Sequence, residues 1–157
     1  MKTKIGIPEK KLKQVNILLE TVLANEVLLY TKTRKFHWNV AGPNFMEFHK
    51  LFEAHYVQLE SAIDEVAERI SKLGHDTIGT MKEFLSRGTI KESPGSYPSS
   101  MAMTKELVKD HEAVIILLRK DVETCSEKLK DAGTADFLTK LMETHETIAW
   151  ALRKYLN

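Results

Sequence analysis

Two pairs of side chains with metal-binding chemistry stand on one predicted helix. His49 and Glu53 are four residues apart, and so are Asp64 and Glu68. Because side chains at i and i+4 project from the same face of a helix, each pair forms a two-ligand unit. Imidazole and carboxylate together suit a first-row transition metal such as iron better than they suit calcium or magnesium.

The two pairs are too far apart to hold one metal within a single chain. Fifteen residues separate His49 from Asp64, and a helix of that length rises about 22 Å. A di-iron site inside one bundle would use inward-facing Glu-x-x-His motifs, and the sequence contains none. The chain therefore carries either two half-sites or one site that is shared between chains.

The numbering of the four residues favours sharing. The positions of His49 and Glu68 add up to the same total as those of Glu53 and Asp64. Two copies of this helix, packed antiparallel about a two-fold axis at its middle, would place each pair beside the other. His37, at the end of the preceding helix, could reach the same cluster as a further nitrogen ligand. We expect two equivalent sites in each dimer.

Solvent-exposed helices also carry such pairs, and this alternative needs no metal. Arg69 and Lys72 could pair with the acids on a wet surface. Against this interpretation, we expect the same face to carry four aromatic residues, which is too apolar for a fully solvated helix. These residues are Phe45, Phe48, Phe52 and Tyr56.

Four long helices are predicted to position these residues, and no segment alternates as a strand does. The first helix runs from about Glu9 to His37, and Pro8 suits its first turn. The second begins after Asn44, which we expect to form a capping box with Glu47. Gly74 is a typical stop for this second helix.

The remaining helices are separated by connections of unequal length. A third helix is predicted from about Ser100 to Asp131, and Thr134 is expected to cap a fourth that runs nearly to the end. The long segment 74–99 can cross the length of a bundle and could include a short helix over Thr80–Ser86. An all-α four-helix bundle with one long crossover is the ferritin-like arrangement.

Length and composition limit the classes of protein that this chain can belong to. The 157 residues suit a single domain, 1–157, of which residues 1–7 form a short N-terminal tail. A net charge of +1 excludes a strongly basic body. Neither a membrane span nor a secretory signal is evident. The lone cysteine, Cys125, excludes an internal disulfide, and we expect a buried thiol and a cytoplasmic protein.

The sequence resembles the Dps family (DNA-binding protein from starved cells), whose members are also called miniferritins. The motifs that carry the resemblance are HWNVAGPNF from His37 to Phe45, His49, Phe52-Glu53, Asp64-Glu65, Ala67-Glu68-Arg69-Ile70, the later TADFLT and Ala149-Trp150. The resemblance implies a hollow dodecamer with a di-iron ferroxidase site at each two-fold interface. Such shells oxidise Fe(II), preferably with hydrogen peroxide, and store the ferric mineral, which protects against oxidative damage.

Carried over by position, the resemblance assigns the iron ligands to two subunits. His37, His49 and Glu53 would come from one subunit, and Asp64 and Glu68 from its partner. Many members have aspartate at the position of Glu53, so the spacing of the two irons could differ here. Carboxylates stabilise Fe(III) more than Fe(II), and two adjacent irons can deliver two electrons to one peroxide.

Three further residues have roles that the resemblance suggests. Asp136 aligns with the acid that lines the iron-entry pore, although a negative charge in the first turn of the fourth helix is also favourable locally. Asp131 is a second pore candidate. Trp38 could donate an electron when only one iron is bound, but packing at the interface is the favoured interpretation.

The other histidines have no partner at ligand spacing, so we expect them to be surface or core residues. They are His55, His75, His111 and His145.

DNA binding is possible but not favoured. Members that bind DNA commonly use a flexible lysine-rich tail, and here only Lys2 and Lys4 precede Pro8. The nearly neutral body also argues against it. Two alternatives to the ferroxidase remain: a DNA-compacting shell with a secondary or inactive iron site, and a purely structural bundle. The sequence has neither a phosphate-binding glycine motif nor a nucleophile triad, so no other enzyme class is indicated.

Overall fold

The structure, a computed structural model, describes residues 3–156 and contains no strand within that range. Its α-helices, in chain order, are α1 (Glu9–Asn39), α2 (Phe45–Lys72), α3 (Met81–Arg87), α4 (Ser100–Glu123) and α5 (Ala132–Lys154). A π-helical segment, Thr124–Leu129, joins α4 to α5. The four long helices form the bundle and α3 lies in the crossover, which confirms the predicted fold class.

The crossover between α2 and α4 runs the length of the bundle. Near one end, Arg69 of α2 pairs with Asp131, which precedes α5. Towards the other end, Nζ of Lys32 on α1 lies 2.6 Å from Oδ2 of Asp110 on α4. The crossover is held midway by Asn25, whose Oδ1 accepts a 2.7 Å hydrogen bond from the backbone N–H of Thr89. The long segment predicted from the sequence therefore connects opposite ends of the bundle.

Helix α1 lies at the centre of the packing. It packs against α2, α3 and α4, and every residue from Val22 to Leu29 is buried. An amphipathic helix would bury only one stripe, but the crossover covers the outer face of this one. The rings of Phe36 and Phe52 contact each other between α1 and α2, with centroids 6.5 Å apart.

Two of the predicted helix ends are confirmed and one predicted cap is wrong. Gly74 ends α2 in the left-handed region, with φ of +87°, which favours glycine. Asn44 precedes α2, but its own φ is 61° and its side chain makes no capping hydrogen bond. The capping box with Glu47 therefore does not form. A capping box forms instead at α3, between Thr80 and Glu83.

The start of α5 also differs from the prediction. Thr134 was expected to be the cap, but the helix begins at Ala132 and Asp131 is the N-cap. Oδ1 of Asp131 accepts a 2.9 Å hydrogen bond from the backbone N–H of Thr134. The third helix was predicted to end at about Asp131, but it is α-helical only to Glu123. Its continuation is the π-helical segment Thr124–Leu129. Lys130, with a φ of 59°, ends that segment.

Asp131 should therefore contribute strongly to stability. It is 3% exposed, it caps α5, and it pairs with Arg69 at 3.3 Å. Because Asp131→Ala removes a cap and leaves a partly buried arginine unpaired, it should lower the free energy of unfolding by about 2–3 kcal/mol. Denaturant unfolding at fixed protein concentration measures this. The exposed Asp136→Ala is the matched control, and an equal effect of the two changes would contradict the capping role.

Candidate metal centre

His37 and His49 face each other at the junction of α1 and α2. Their rings are stacked, with centroids 3.8 Å apart and planes inclined by 22°. Nδ1 of His37 lies 2.8 Å from the backbone carbonyl oxygen of His49, and Nδ1 of His49 lies 2.9 Å from that of His37. The two residues therefore fix each other through a reciprocal pair of hydrogen bonds.

These hydrogen bonds determine which ring nitrogens can bind a metal. A carbonyl oxygen only accepts, so the Nδ1 of each ring must carry the hydrogen. In the neutral ring, Nε2 then holds the lone pair, which is the form in which a histidine binds a metal. A backbone carbonyl is one of the usual partners that set the tautomer of a metal-ligating histidine. Both imidazoles are therefore prepared as nitrogen ligands.

The three acids lie on the exposed face of α2. Nζ of Lys72 lies 2.7 Å from Oε2 of Glu68, and this contact lowers the pKa of the Glu68 carboxyl. Glu53 and Asp64 make no hydrogen bond or ion pair within residues 3–156. A solvated face was expected to pair Arg69 and Lys72 with these acids. Lys72 does pair with Glu68, but Arg69 donates its hydrogen bonds to Asp131 and Thr134 instead.

A single subunit does not bring the ligands together. Within residues 3–156, no three His, Cys, Asp or Glu side chains are arranged to hold one metal ion. His49 and Glu53 lie far along α2 from Asp64 and Glu68, as the helical rise requires. The two pairs therefore lie on α2 as the sequence predicts, and metal binding by either pair stays a prediction.

Two of the four predicted aromatic residues lie beside the histidine ligands. The ring centroid of Phe45, which is 40% exposed, is 5.1 Å from that of His49, and the ring centroid of Tyr56 is 5.2 Å from that of His37. Phe48 and Phe52 are buried in the core, so their assignment to this face was wrong. They project from a different side of the helix, towards the core. Met46 and Val57 also share the stripe of the ligands and are 55% and 52% exposed.

Comparison with known proteins decides the family. The family model for the ferritin-like domain matches residues 17–157. The chain is 36% identical to a protein of Bacillus anthracis named DNA protection during starvation protein 2, over 92% of this chain and 98% of the relative. The chain belongs to the Dps family of ferritin-like proteins.

Two further similarities extend over the whole Dps domain. The chain is 46% identical to an uncharacterized low temperature-induced protein of Nostoc sp., over 98% of this chain and 86% of the relative. The chain is also similar to a solved Dps structure from Vibrio cholerae, with a TM-score of 0.92 and 29% identity over 100% of this chain and 98% of the Vibrio chain. That structure is described as a member of a broad superfamily of ferritin-like diiron-carboxylate proteins. No helix of residues 3–156 is long and apolar enough to span a membrane.

The secondary candidates of this Dps chain occupy different environments. Asp136 is exposed on α5 but lies beyond the first turn, because the helix begins earlier than predicted. Asp131 is buried as a cap and does not line the surface of the subunit. Trp38 is 66% exposed, with the Arg34 guanidinium 5.6 Å from its ring centroid. Cys125 is buried, as predicted.

A second group of titratable residues was missed by the sequence analysis. His111 and His145, left without partners there, face each other in the core with their Nδ1 atoms 2.9 Å apart. Nε2 of His145 lies 2.8 Å from Oε1 of Glu26. His55 is also buried, whereas His75 is half-buried. The only sequence signal was a polar residue on the apolar stripe of each long helix, and that pattern does not show which residues meet.

Proposed function

We propose that this Dps protein is a ferroxidase and iron-storage shell that oxidises Fe(II) with hydrogen peroxide. The reciprocal hydrogen bonds of His37 and His49 are the observation that carries the proposal, because they present two prepared nitrogen ligands. Glu53 of the same subunit adds a carboxylate. Asp64 and Glu68 of the partner subunit complete the set.

The exposed face of α2 supports the sharing of this site between subunits. Within residues 3–156 no three of the ligands are arranged to hold one metal ion. Burial of Met46 and Val57, which are exposed on the same stripe, against a second subunit would be favourable because it removes apolar surface from water. An antiparallel copy about a two-fold axis places His49 opposite Glu68, and Glu53 opposite Asp64. The same operation creates two equivalent sites.

The ligand set suits the oxidation of two irons by one peroxide. Two Fe(II) each lose one electron, and hydrogen peroxide takes both electrons and two protons to become two water molecules. Carboxylate ligands favour the ferric product, and open positions admit the oxidant. Lys72 would have to leave Glu68 when iron binds, which costs little because both side chains are exposed and solvent screens such a pair.

We propose that the shell is a dodecamer in the cytoplasm and that it stores the ferric mineral in its cavity. We assign iron entry to pores lined by Asp136, since this acid is exposed and aligns with the pore acid of the family. Trp38 packs at the subunit interface in this proposal. Its exposed ring is available for such a contact.

The proposal is tested by adding peroxide to Fe(II) and protein under anaerobic conditions. We expect about two Fe(II) to be oxidised per peroxide, without hydroxyl radical in a spin trap. His37→Ala should slow the reaction about 10–100-fold, whereas His75→Ala, at a half-buried histidine outside the site, should not. Light scattering on the same sample gives the particle size. A native protein that oxidises Fe(II) no faster than buffer would refute the proposal.

DNA binding is the second candidate, and the name of the Bacillus anthracis relative supports it. Lys4 is exposed, and Lys2 lies outside the described residues. We expect weak or no retention of plasmid DNA near neutral pH. Any retention should be lost when Lys2 and Lys4 are replaced by alanine, and it should fall steeply with salt because phosphate contacts release counterions. Gel retardation measures this, and Fe(II) oxidation should be unchanged. Tight, salt-resistant binding by the variant would show that another surface binds DNA.

A further inference from the structure

Two tyrosine rings extend from a predicted iron ligand along the contact between α1 and α2. The ring of Tyr56 on α2 meets that of His37 nearly at right angles, with centroids 5.2 Å apart. The ring of Tyr30 on α1 meets that of Tyr56 in the same way, with centroids 6.1 Å apart. Both tyrosines are half-buried. We call Tyr56 and Tyr30 the tyrosine pair, and together with His37 they form a continuous row of rings.

The guanidinium of Arg34 holds the tyrosine pair in place. Its central carbon lies 4.9 Å from the ring centroid of Tyr56 and 5.6 Å from that of Tyr30, and a cation in such a position is attracted by the ring face. Nη1 of Arg34 also donates a hydrogen bond to the Tyr30 hydroxyl. A tyrosyl radical has lost its hydroxyl hydrogen and can only accept, so this hydrogen bond would persist after oxidation of Tyr30.

Packing does not explain why the residue beside His37 is a tyrosine. Phe45 occupies the corresponding place beside His49, with ring centroids 5.1 Å apart, so a ring without a hydroxyl is sufficient for such a contact. The hydroxyl of Tyr56 makes no hydrogen bond within residues 3–156. A phenol can give up an electron together with its proton, whereas the ring of phenylalanine resists oxidation. The presence of tyrosine here therefore indicates chemistry in addition to packing.

Trp38, the electron donor that the resemblance suggested, is less well placed than Tyr56. Its ring is 66% exposed and lies against Arg34, and within the described residues it makes no ring contact with His37 or His49. Of the tyrosine and tryptophan rings in residues 3–156, only that of Tyr56 contacts a predicted iron ligand. An electron from Tyr56 therefore has a single side chain, His37, to cross.

We propose that Tyr56 donates one electron to the shared site when peroxide arrives while only one Fe(II) is bound. The proposal rests on the proposed ferroxidase function, in which two irons normally supply both electrons. With one iron, Fe(II) supplies the first electron and becomes Fe(III). Tyr56 supplies the second electron through His37, and its phenolic O–H bond breaks to leave a neutral tyrosyl radical.

Peroxide takes up both electrons and is reduced completely. Its O–O bond breaks, and two protons convert it into two water molecules, one proton coming from the Tyr56 hydroxyl and the other from solvent. Tyr30 then passes an electron and its hydroxyl proton to the Tyr56 radical, which restores Tyr56 and moves the radical one ring away from the iron. Without a donor, a lone Fe(II) gives peroxide a single electron, and a hydroxyl radical is released.

Electron paramagnetic resonance of samples frozen soon after mixing tests the proposal. Anaerobic protein receives about one Fe(II) per subunit, half of the amount that fills the di-iron sites, and then peroxide. The native protein should give the signal of a tyrosyl radical, which should narrow when the tyrosines are ring-deuterated. Tyr56→Phe should abolish the signal and increase the hydroxyl radical caught by a spin trap. Tyr97→Phe, at an exposed tyrosine outside the row, is the matched control and should change neither.

Two further measurements separate electron donation from a structural role. When the di-iron sites are filled, Tyr56→Phe should oxidise Fe(II) as fast as the native protein, because the second iron replaces the tyrosine as donor. Tyr30→Phe should keep the radical but shift its g value, because the radical then stays on Tyr56, whose oxygen accepts no hydrogen bond from Arg34. If Tyr56→Phe does not assemble, the deuterated native protein and Tyr30→Phe decide the question.

Several results would overturn the proposal. A radical of full strength in Tyr56→Phe would place the donor elsewhere, and a signal that ignores deuteration of tyrosine would assign it to a residue such as Trp38. Native protein that oxidises Fe(II) faster than buffer but forms no tyrosyl radical would refute the donor and leave the ferroxidase intact. Native protein that oxidises Fe(II) no faster than buffer would refute the ferroxidase itself, and the donor with it.

Discussion

Shells built only from His49→Ala subunits, or only from Glu68→Ala subunits, are expected to lose ferroxidase activity about 10–100-fold. Shells co-assembled from equal amounts of the two variants should recover about one quarter of the native activity, because half of the interfaces are mixed and each mixed interface rebuilds one of its two sites. The rebuilt site takes His49 from the Glu68→Ala subunit and Glu68 from the His49→Ala subunit. Initial rates of Fe(II) oxidation measure the recovery.

Two controls separate this result from simpler explanations. Preassembled shells of the two variants, mixed without dissociation, should show no recovery because their interfaces are already formed. Light scattering should show that each variant assembles normally. If co-assembled shells stay inactive although they are intact, all ligands act within one chain and the shared site is refuted.

Sequence reasoning succeeded for the features that depend on local chemistry. The first helix was predicted over residues 9–37 and is observed at Glu9–Asn39, since Pro8 and Gly42-Pro43 mark its limits in the chain itself. The short crossover helix was predicted over Thr80–Ser86 and begins one residue later, at Met81. The start of α5 was missed because Asp131 and Thr134 are both good caps. Only the contact of Asp131 with Arg69, which is distant in sequence, favours the earlier one.

The two groups of histidines show the same limit at the level of sites. Spacing along α2 was enough to find His49 with Glu53, because one helix fixes their relation. The hydrogen bonds between His37 and His49 depend on the turn that joins α1 to α2. No residue type in the sequence predicts them. His111 and His145 come from different helices, and their contact depends on how each helix is rotated about its axis. Sequence periodicity specifies the buried side of a helix but not which buried residues meet.

Asp121 is a buried acid near the end of α4, and its environment sets the last prediction. It is 2% exposed, and its Oδ2 has no hydrogen-bond partner. Burial raises the pKa of Asp121 to about 6, and the nearby Lys120 only partly opposes this. Burial also raises the pKa of the Cys125 thiol to about 12, with contributions from the charges of Asp131 and Asp121. Burial at these two positions therefore disfavours the ionised form of each side chain.

The raised pKa of Asp121 makes stability depend on pH in a defined direction. Its folded pKa of about 6 lies above the ordinary value of 3.8, so the folded state binds the proton more tightly than the unfolded state does. The resulting stabilisation is complete below about pH 4 and is lost as the pH rises through 6. At about 1.36 kcal/mol per pKa unit, its loss between pH 4 and pH 8 amounts to about 2 kcal/mol.

Replacement of Asp121 by asparagine should therefore remove this pH dependence while keeping the shape of the side chain. We expect the native protein to lose about 2 kcal/mol of unfolding free energy relative to Asp121→Asn between pH 4 and pH 8. Denaturant unfolding at several pH values, with protein concentration fixed and a chelator present, measures this difference. Glu123→Gln, at an exposed acid on the same helix, controls for the change in net charge. Parallel pH profiles for native protein and Asp121→Asn would show that folding does not raise the pKa of Asp121, and the prediction would be wrong.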